Sequence, residues 1–373
     1  MNNNVYLDHN ATTTTKPAVA RAVAESLERT GNPSSAHAPG RLARQAVEEA
    51  RESVAALLGA EPGGVVFTSG GTEANNLALM GCARSAVISS VEHDSVLASA
   101  PEAPRIPVDG AGVADVAALE DLLASAPEPI LVSVMLANNE TGVIQPVAEI
   151  AERARRHGAL THCDAVQAAG KIPIDMASLG VDLLSVSAHK IGGPPGAGAL
   201  VVGEGVDIGP RALGGGQERG LRGGTLNVPG ITGLGVAARL AVDGLDDFAA
   251  LAGLRQKLED RIRALAPPVN FFGTGAERLP NTSCFALPGL MGDTQVIALD
   301  LAGVAVSAGS ACSSGKIKAS HVLKAMGAGD EEAACAIRVS LGWPSTESDV
   351  GRFVEAWGEL AARGASQATE PAA

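Results

Sequence analysis

Three short stretches carry residue types whose chemistry depends on their surroundings. Ser187-Ala188-His189-Lys190 ends an apolar run and enters the turn Gly192-Gly193-Pro194-Pro195-Gly196. A lysine at the carboxyl end of a strand, its amine partly desolvated, has a lowered pKa and can form a Schiff base. The alternative for Lys190 is a side chain reaching out to water from a strand end. Gly70-Gly71-Thr72-Glu73-Ala74-Asn75-Asn76 stands between an apolar run and a helical one. Bare amides at a helix N-terminus, with a hydroxyl beside them, suit a phosphate, although Thr72 would also serve as an ordinary helix cap. His162-Cys163-Asp164-Ala165-Val166-Gln167 closes another apolar run. Asp164 there must be protonated or hold a cation such as a pyridinium nitrogen, unless it caps a helix. His162 and Cys163 alternate across the strand and read as core. Lysine, phosphate cradle and strand-end aspartate are together the protein's half of a pyridoxal-phosphate site.

The remaining reactive group is a thiol. Cys82, Cys284 and Cys335 read as inert buried fillers. Cys312 differs, because Ser307-Ala308-Gly309-Ser310 before it and Ser313-Ser314-Gly315 after it hold no apolar anchor. That predicts an accessible loop whose thiolate can act as a nucleophile. The five cysteines include no C-x-x-C, which excludes the usual zinc spacings and a dense disulfide framework.

Positioning these residues requires a sheet. Apolar runs at residues 64–68, 86–89, 130–136, 159–163, 182–187 and 198–202 predict strands, with helices over 17–30, 71–81 and 147–157. Such alternation makes a largely parallel sheet covered on both faces. A long helical pattern follows over 228–265, broken by Gly244, Gly253 and the Pro267-Pro268 pair. The rhythm then changes: strands at 283–287, 304–307 and 336–341, helices at 294–301 and 319–326, and a final helix.

With 373 residues the chain has material for roughly two domains. A net charge of -13 and 2% aromatic residues argue against nucleic acid as a partner. No apolar run is long enough to span a membrane, and the N-terminus lacks a basic, then apolar leader. A cytoplasmic protein with reduced thiols is expected.

Nine segments in register carry a resemblance. They are Gly31-Asn32-Pro33-Ser34-Ser35-Ala36-His37, Phe67 to Asn76, Glu92-His93, Asn138-Asn139-Glu140-Thr141-Gly142-Val143, Asp164-Ala165-Val166-Gln167 and Ser187 to Lys190. Glu218 to Thr225, Ser310-Ala311-Cys312-Ser313-Ser314 and Ile337 to Gly342 complete them. From Tyr6 to about Asp349 the chain resembles cysteine desulfurases of the class V aminotransferase superfamily, with a cysteine loop like that of the iron–sulfur-cluster and nitrogen-fixation type.

The resemblance implies an α/β fold, the pyridoxal-phosphate-dependent transferase fold type I. It has a large domain with a mostly parallel seven-stranded sheet over 15–255. A smaller α+β domain is made by 1–14 and 256–365; separately, the small and polar composition of 366–373 predicts a disordered tail. It implies that Lys190 holds pyridoxal 5'-phosphate and moves the substrate's Cα proton, that Asp164 pairs with the ring nitrogen, and that His93 stacks on the ring. Gln167 and Asn139 would reach the ring oxygen, Asn139 also touching substrate. Gly71, Thr72, Ser187 and His189 would form the phosphate shell, completed by Thr225 from the other subunit of a homodimer. Arg338 would hold the carboxylate of L-cysteine, and Cys312 would take its sulfur as a persulfide. An iron–sulfur scaffold or other acceptor protein would then receive the sulfur, with Cys312 able to meet the scaffold's cluster while no metal is intrinsic to this chain. The sequence departs from the family at His9, and at Trp343-Pro344, where partner contacts are expected to differ.

Overall fold

The computed structural model describes residues 4–308 and 319–368; Cys312 and residues 369–373 lie outside them. In chain order the strands are β1 (Val5–Tyr6), β2 (Val65–Thr68), β3 (Ser85–Ser89), β4 (Arg105–Ile106), β5 (Ile130–Met135), β6 (Leu160–Asp164), β7 (Leu183–Ser187) and β8 (Gly198–Val202). They continue with β9 (Asn270–Phe271), β10 (Thr282–Ala286), β11 (Val304–Ala305), β12 (Ser307–Ala308) and β13 (Ala336–Ser340).

The central sheet has seven strands in the order β2-β8-β7-β6-β5-β3-β4. All its pairings are parallel except those of β8, which runs against both β2 and β7. Two reversals restore direction, so β2 points the same way as β7. The carboxyl ends of β2, β3, β5, β6 and β7 therefore open on one edge of the sheet, where open α/β sheets bind ligands. The strands read as unbroken apolar runs because helices cover both faces: β5, β7 and β2 are buried along their whole length.

One covering layer is absent from the sequence expectations. The helix Ala38–Leu58 packs on the helix Val228–Asp243, and with the helix Pro17–Leu27 they share one apolar cluster with the sheet. Its start is hard to read because Pro39 and Gly40 stand in its first turn behind an unusual cap, the His37 ring, which accepts from the Gly40 N–H at 3.2 Å. The two helices approach to near backbone contact: a Cβ on Gly235 would lie 2.6 Å from the Ala50 Cα.

The second sheet is antiparallel, in the order β12-β13-β10-β9. It packs on the final helix, Glu347–Ala368, through Phe285, Phe353 and Trp357, all fully buried. The chain's beginning joins this part of the molecule: β1 pairs with β11, and Asp8 bridges to Ser340.

Three boundaries differ from expectation. The helix Leu251–Leu265 runs straight through Gly253, whose open surroundings make the glycine harmless, and the break falls at Ala250 instead. The run expected as one strand over 304–307 is two, β11 and β12, which pair in different sheets. The last helix continues to Ala368, into the stretch 366–373 expected without structure.

Candidate active site

Each strand end contributes to one cavity of about 290 Å³, lined by Gly71, Thr72, His93, Asn139, Asp164, Gln167, Ser187, His189, Lys190 and Arg338, with Asn10, Asn75 and Ser95 among its other walls. Of the other predicted residues, Thr225 is exposed, and Cys312 lies outside the described residues.

The phosphate cradle is built by β2 and the helix Gly71–Gly81. Gly70 occupies the cap position at φ 151°, and no side chain caps the helix. Thr72 thus stands in the first turn rather than serving as the cap, and the first-turn amides are not taken by a capping side chain. A Cβ on Gly71 would come 2.7 Å from the Val166 Cγ2, so the bare backbone is needed for this close approach. Ser187, at the end of β7, and His189 complete the rim. Burial, reinforced by the Lys190 charge, pushes the His189 imidazole down to about 4, leaving it neutral near pH 7.

Asp164 ends β6 and caps no helix. Its Oδ1 accepts from the Val166 N–H at 2.9 Å, and its Oδ2 accepts from the Asn75 amide at 2.7 Å. Asn75 lies one helical turn beyond Gly71, so the helix that presents the phosphate cradle also steadies the carboxylate. The same amide donates to the Ser95 Oγ at 2.9 Å. Ser95 in turn sends two donors to His93: its backbone N–H at 3.1 Å and, since an Nδ1 that accepts this N–H bears no hydrogen, its hydroxyl at 2.8 Å. With Nδ1 accepting both, the neutral His93 ring carries its hydrogen on Nε2. Beside it, Glu92 is wholly buried. Desolvation, and then the charge of Asp164, hold its carboxyl well above the usual range.

Lys190 follows β7 in a short 3-10 turn. Its amine donates to the carbonyls of Asn10 and, at 2.8 Å, of Ala11. The N-terminal segment thus holds the lysine by uncharged oxygens. Asn10 is a hub that sequence reasoning missed. Its carbonyl also accepts from the Gln167 amide at 2.8 Å, and its own amide donates to the Asn139 carbonyl at 3.2 Å and the Thr282 hydroxyl at 2.9 Å. The missed signal was its place in Leu7-Asp8-His9-Asn10-Ala11-Thr12, a polar stretch inside an otherwise strand-like start.

Arg338 on β13 is 2% exposed, not a surface strand residue. Its guanidinium donates to Asp8 at 2.7 Å and to the Asn139 carbonyl at 3.0 Å, while among the described residues its buried Nε has no partner. A carboxylate ligand would satisfy that donor. His9, the family departure, packs its ring against Gly342, donates to or accepts from the Thr13 hydroxyl at 2.7 Å, and lies outside this cavity. His162 and Cys163 are core, the imidazole bridging the hydroxyls of Ser133 and Ser185 at 2.8 and 2.9 Å. Cys82, Cys284 and Cys335 are buried free thiols, and burial raises the pKa of each. Among the described residues no group of three or more potential ligands could hold a metal ion.

A family model described as aminotransferase class-V matches residues 5–353. The chain is 46% identical to a cysteine desulfurase of Cereibacter sphaeroides over 367 residues, 94% of each chain. Its fold superposes on a NifS-like protein from Rickettsia africae with a TM-score of 0.91 at 38% identity, covering 96% of this chain and 99% of that one. A structure of SspA in complex with cysteine matches with a TM-score of 0.78 at 30% identity, covering 90% of this chain and 98% of that one.

Proposed function

The chain belongs to the class-V aminotransferase family, and from that membership we propose that it is a cysteine desulfurase, which takes sulfur from L-cysteine, releases alanine and carries the sulfur as a persulfide on Cys312. The observation that supports this most directly is the convergence of Lys190, Asp164, an uncapped helix N-terminus and a buried arginine with an unpartnered donor on one cavity.

The residues present fit pyridoxal phosphate. The bare first turn at Gly71 and Thr72, with Ser187 and His189, would receive the phosphate, helped by the helix dipole. The Asp164 carboxylate, fixed from behind by Asn75 and Val166, would face the ring nitrogen, and Lys190 would hold the aldehyde carbon. When bound, the cofactor supplies an electron sink that makes the Cα–H and Cβ–S bonds of cysteine breakable.

This chain's groups do the rest. Arg338 and Asn139 orient the substrate carboxylate, Asp8 holding the guanidinium fork in place on its far side. The Lys190 amine takes the Cα proton. His93, its hydrogen on Nε2, can donate a proton to the substrate and recover it. The Cys312 thiolate forms a new S–S bond to the substrate sulfur as the Cβ–S bond breaks; that bond's electron pair stays with carbon, and protons complete the methyl group of alanine. Cysteine and an enzyme thiol thus give alanine and an enzyme persulfide, with no outside oxidant. An acceptor protein, such as an iron–sulfur scaffold, would take the sulfur from Cys312. The exposed Thr225 would complete the phosphate shell of a second subunit in a homodimer. Its segment is anchored for that task, because Glu218 pairs with Arg51 at 2.9 Å and Arg222 pairs with Glu73 at 2.8 Å.

Substituting Cys312→Ala should keep the visible absorbance of the bound cofactor and lower sulfide release from cysteine by more than about 100-fold, the scale on which a lost nucleophile acts. Sulfide release at the native rate would overturn the persulfide reading.

A further inference from the structure

Lys171 is a fully buried lysine, 3% exposed, with no part in the chemistry above. Its amine donates to two uncharged oxygens, Asn10 Oδ1 and Gln167 Oε1, each at 2.8 Å, and among the described residues no carboxylate pairs with it. Burial, with the nearby charges of Lys190 and Arg338, depresses its pKa well below the ordinary lysine value. Such a group is costly to retain in a core unless it does something that a leucine or methionine cannot.

The Asn10 backbone carbonyl can only accept, so the Gln167 nitrogen faces it and the Gln167 oxygen faces Lys171, which donates to it. That fixes which way round the Gln167 amide stands: its carbonyl faces Lys171, and its nitrogen is on the other side. One amide hydrogen goes to the Asn10 carbonyl at 2.8 Å. The second is uncommitted, and Gln167 lines the cavity together with Asp164 and Lys190. Without Lys171 the Gln167 oxygen would lose its donor, and the Asn10 carbonyl alone would hold the amide in this orientation. The same amine steadies the side chain of Asn10, whose carbonyl receives Lys190.

We propose that Lys171 is a positioning residue, which locks the Gln167 amide so that it presents a hydrogen-bond donor to the phenolic oxygen of the bound cofactor ring. The proposal rests on the reading of this cavity as a pyridoxal-phosphate site. A donor there stabilises the ionised phenolic oxygen and so lowers the pH at which the visible band of the bound cofactor titrates.

The test is a double-mutant cycle on the full-length holoprotein, read as the midpoint of that spectral titration for wild type, Lys171→Met, Gln167→Leu and the double variant. Lys171→Met is expected to raise the midpoint by about one pH unit, and to add nothing once Gln167 is already Leu. Lys171→Arg, which keeps the donors, should stay near wild type and serves if the Met variant does not fold. Two results overturn the proposal: no shift in Lys171→Met with the band intact, or an equal shift in the Gln167→Leu background, which would mean that Lys171 acts by its charge alone. If the Met variant does not fold, an Arg variant with a fully shifted midpoint overturns it. A wild-type protein that gains no visible band with pyridoxal phosphate would instead remove the cofactor reading, and the proposal with it.

Discussion

At the level of single residues, much of the site's order comes from neutral groups, beside the ion pair of Arg338 with Asp8. Lys190 donates to two carbonyls, Lys171 to two amide oxygens, and His93 meets a hydroxyl and an N–H. The chain His93–Ser95–Asn75–Asp164 makes Ser95 the part that sets the imidazole's tautomer. Ser95→Ala should therefore lower the rate of turnover about tenfold, the worth of roughly one hydrogen bond, while the cofactor's visible absorbance persists; an unchanged rate would show that Ser95 does not govern His93. Arg338, in the middle of β13, was reached only through the family resemblance, whereas Lys190 and Asp164 were legible from residue type at strand ends. Asn10, Asn75 and Ser95 were not, because a neutral amide or hydroxyl becomes functional only through its spatial neighbours. His162 makes a separate point about pH. Burial lowers its pKa from 6.5 to about 4, so the unfolded chain binds the proton first and acid favours unfolding. Stability from this group is intact above pH 6.5 and falls by up to roughly 3 kcal/mol as pH drops toward 4. In urea unfolding, the advantage of wild type over His162→Gln should shrink on going from neutral pH toward that value.

At the level of elements, the fold serves the site through direction. β8 runs backwards between β2 and β7, which restores β2 to the common direction and brings the Gly70-Gly71 turn to the same edge as Asp164 and Ser187. The positions of these strands were readable because fully buried strands appear as plain apolar runs; their order and the reversal at β8 were not, since neither leaves a mark in local periodicity. The helix Ala38–Leu58 escaped notice at its start, where proline and glycine in the first turn read as loop. Its seam with the helix Val228–Asp243 depends on Gly235, where an added methyl would meet the Ala50 backbone at 2.6 Å. Backbone cannot give way as a side chain would, so Gly235→Ala should destabilise the protein by about 1–3 kcal/mol, seen as a lowered thermal midpoint with the cofactor band still present in the folded state.

At the level of the whole molecule, the cavity belongs to no single sheet. Its walls come from β2, β5, β6 and β7, from Arg338 on β13, and from the N-terminal segment that runs between them. If Thr225 serves the other subunit, each site is also shared between chains. At limiting cofactor, mixing Lys190→Ala protein with Thr225→Ala protein under conditions that exchange subunits should then give more activity than the two samples kept apart, because mixed dimers hold one site with both residues intact. No gain, with a monomeric mass by light scattering, would rule this out. The N-terminal segment sets one further condition. Among the described residues β1 pairs with β11, and Asp8 bridges to Ser340 and pairs with Arg338, both on β13. During synthesis, the segment that holds β1 and Asp8 must therefore wait for strands far along the chain. A nascent chain halted before β11 could already have laid down its seven-stranded sheet, yet Asn10 would lack Ser340, whose hydroxyl accepts its N–H at 2.9 Å. Assembly of the pocket is then a late, long-range event, the kind that topology makes slow, and the pocket would be inert until β13 has joined it.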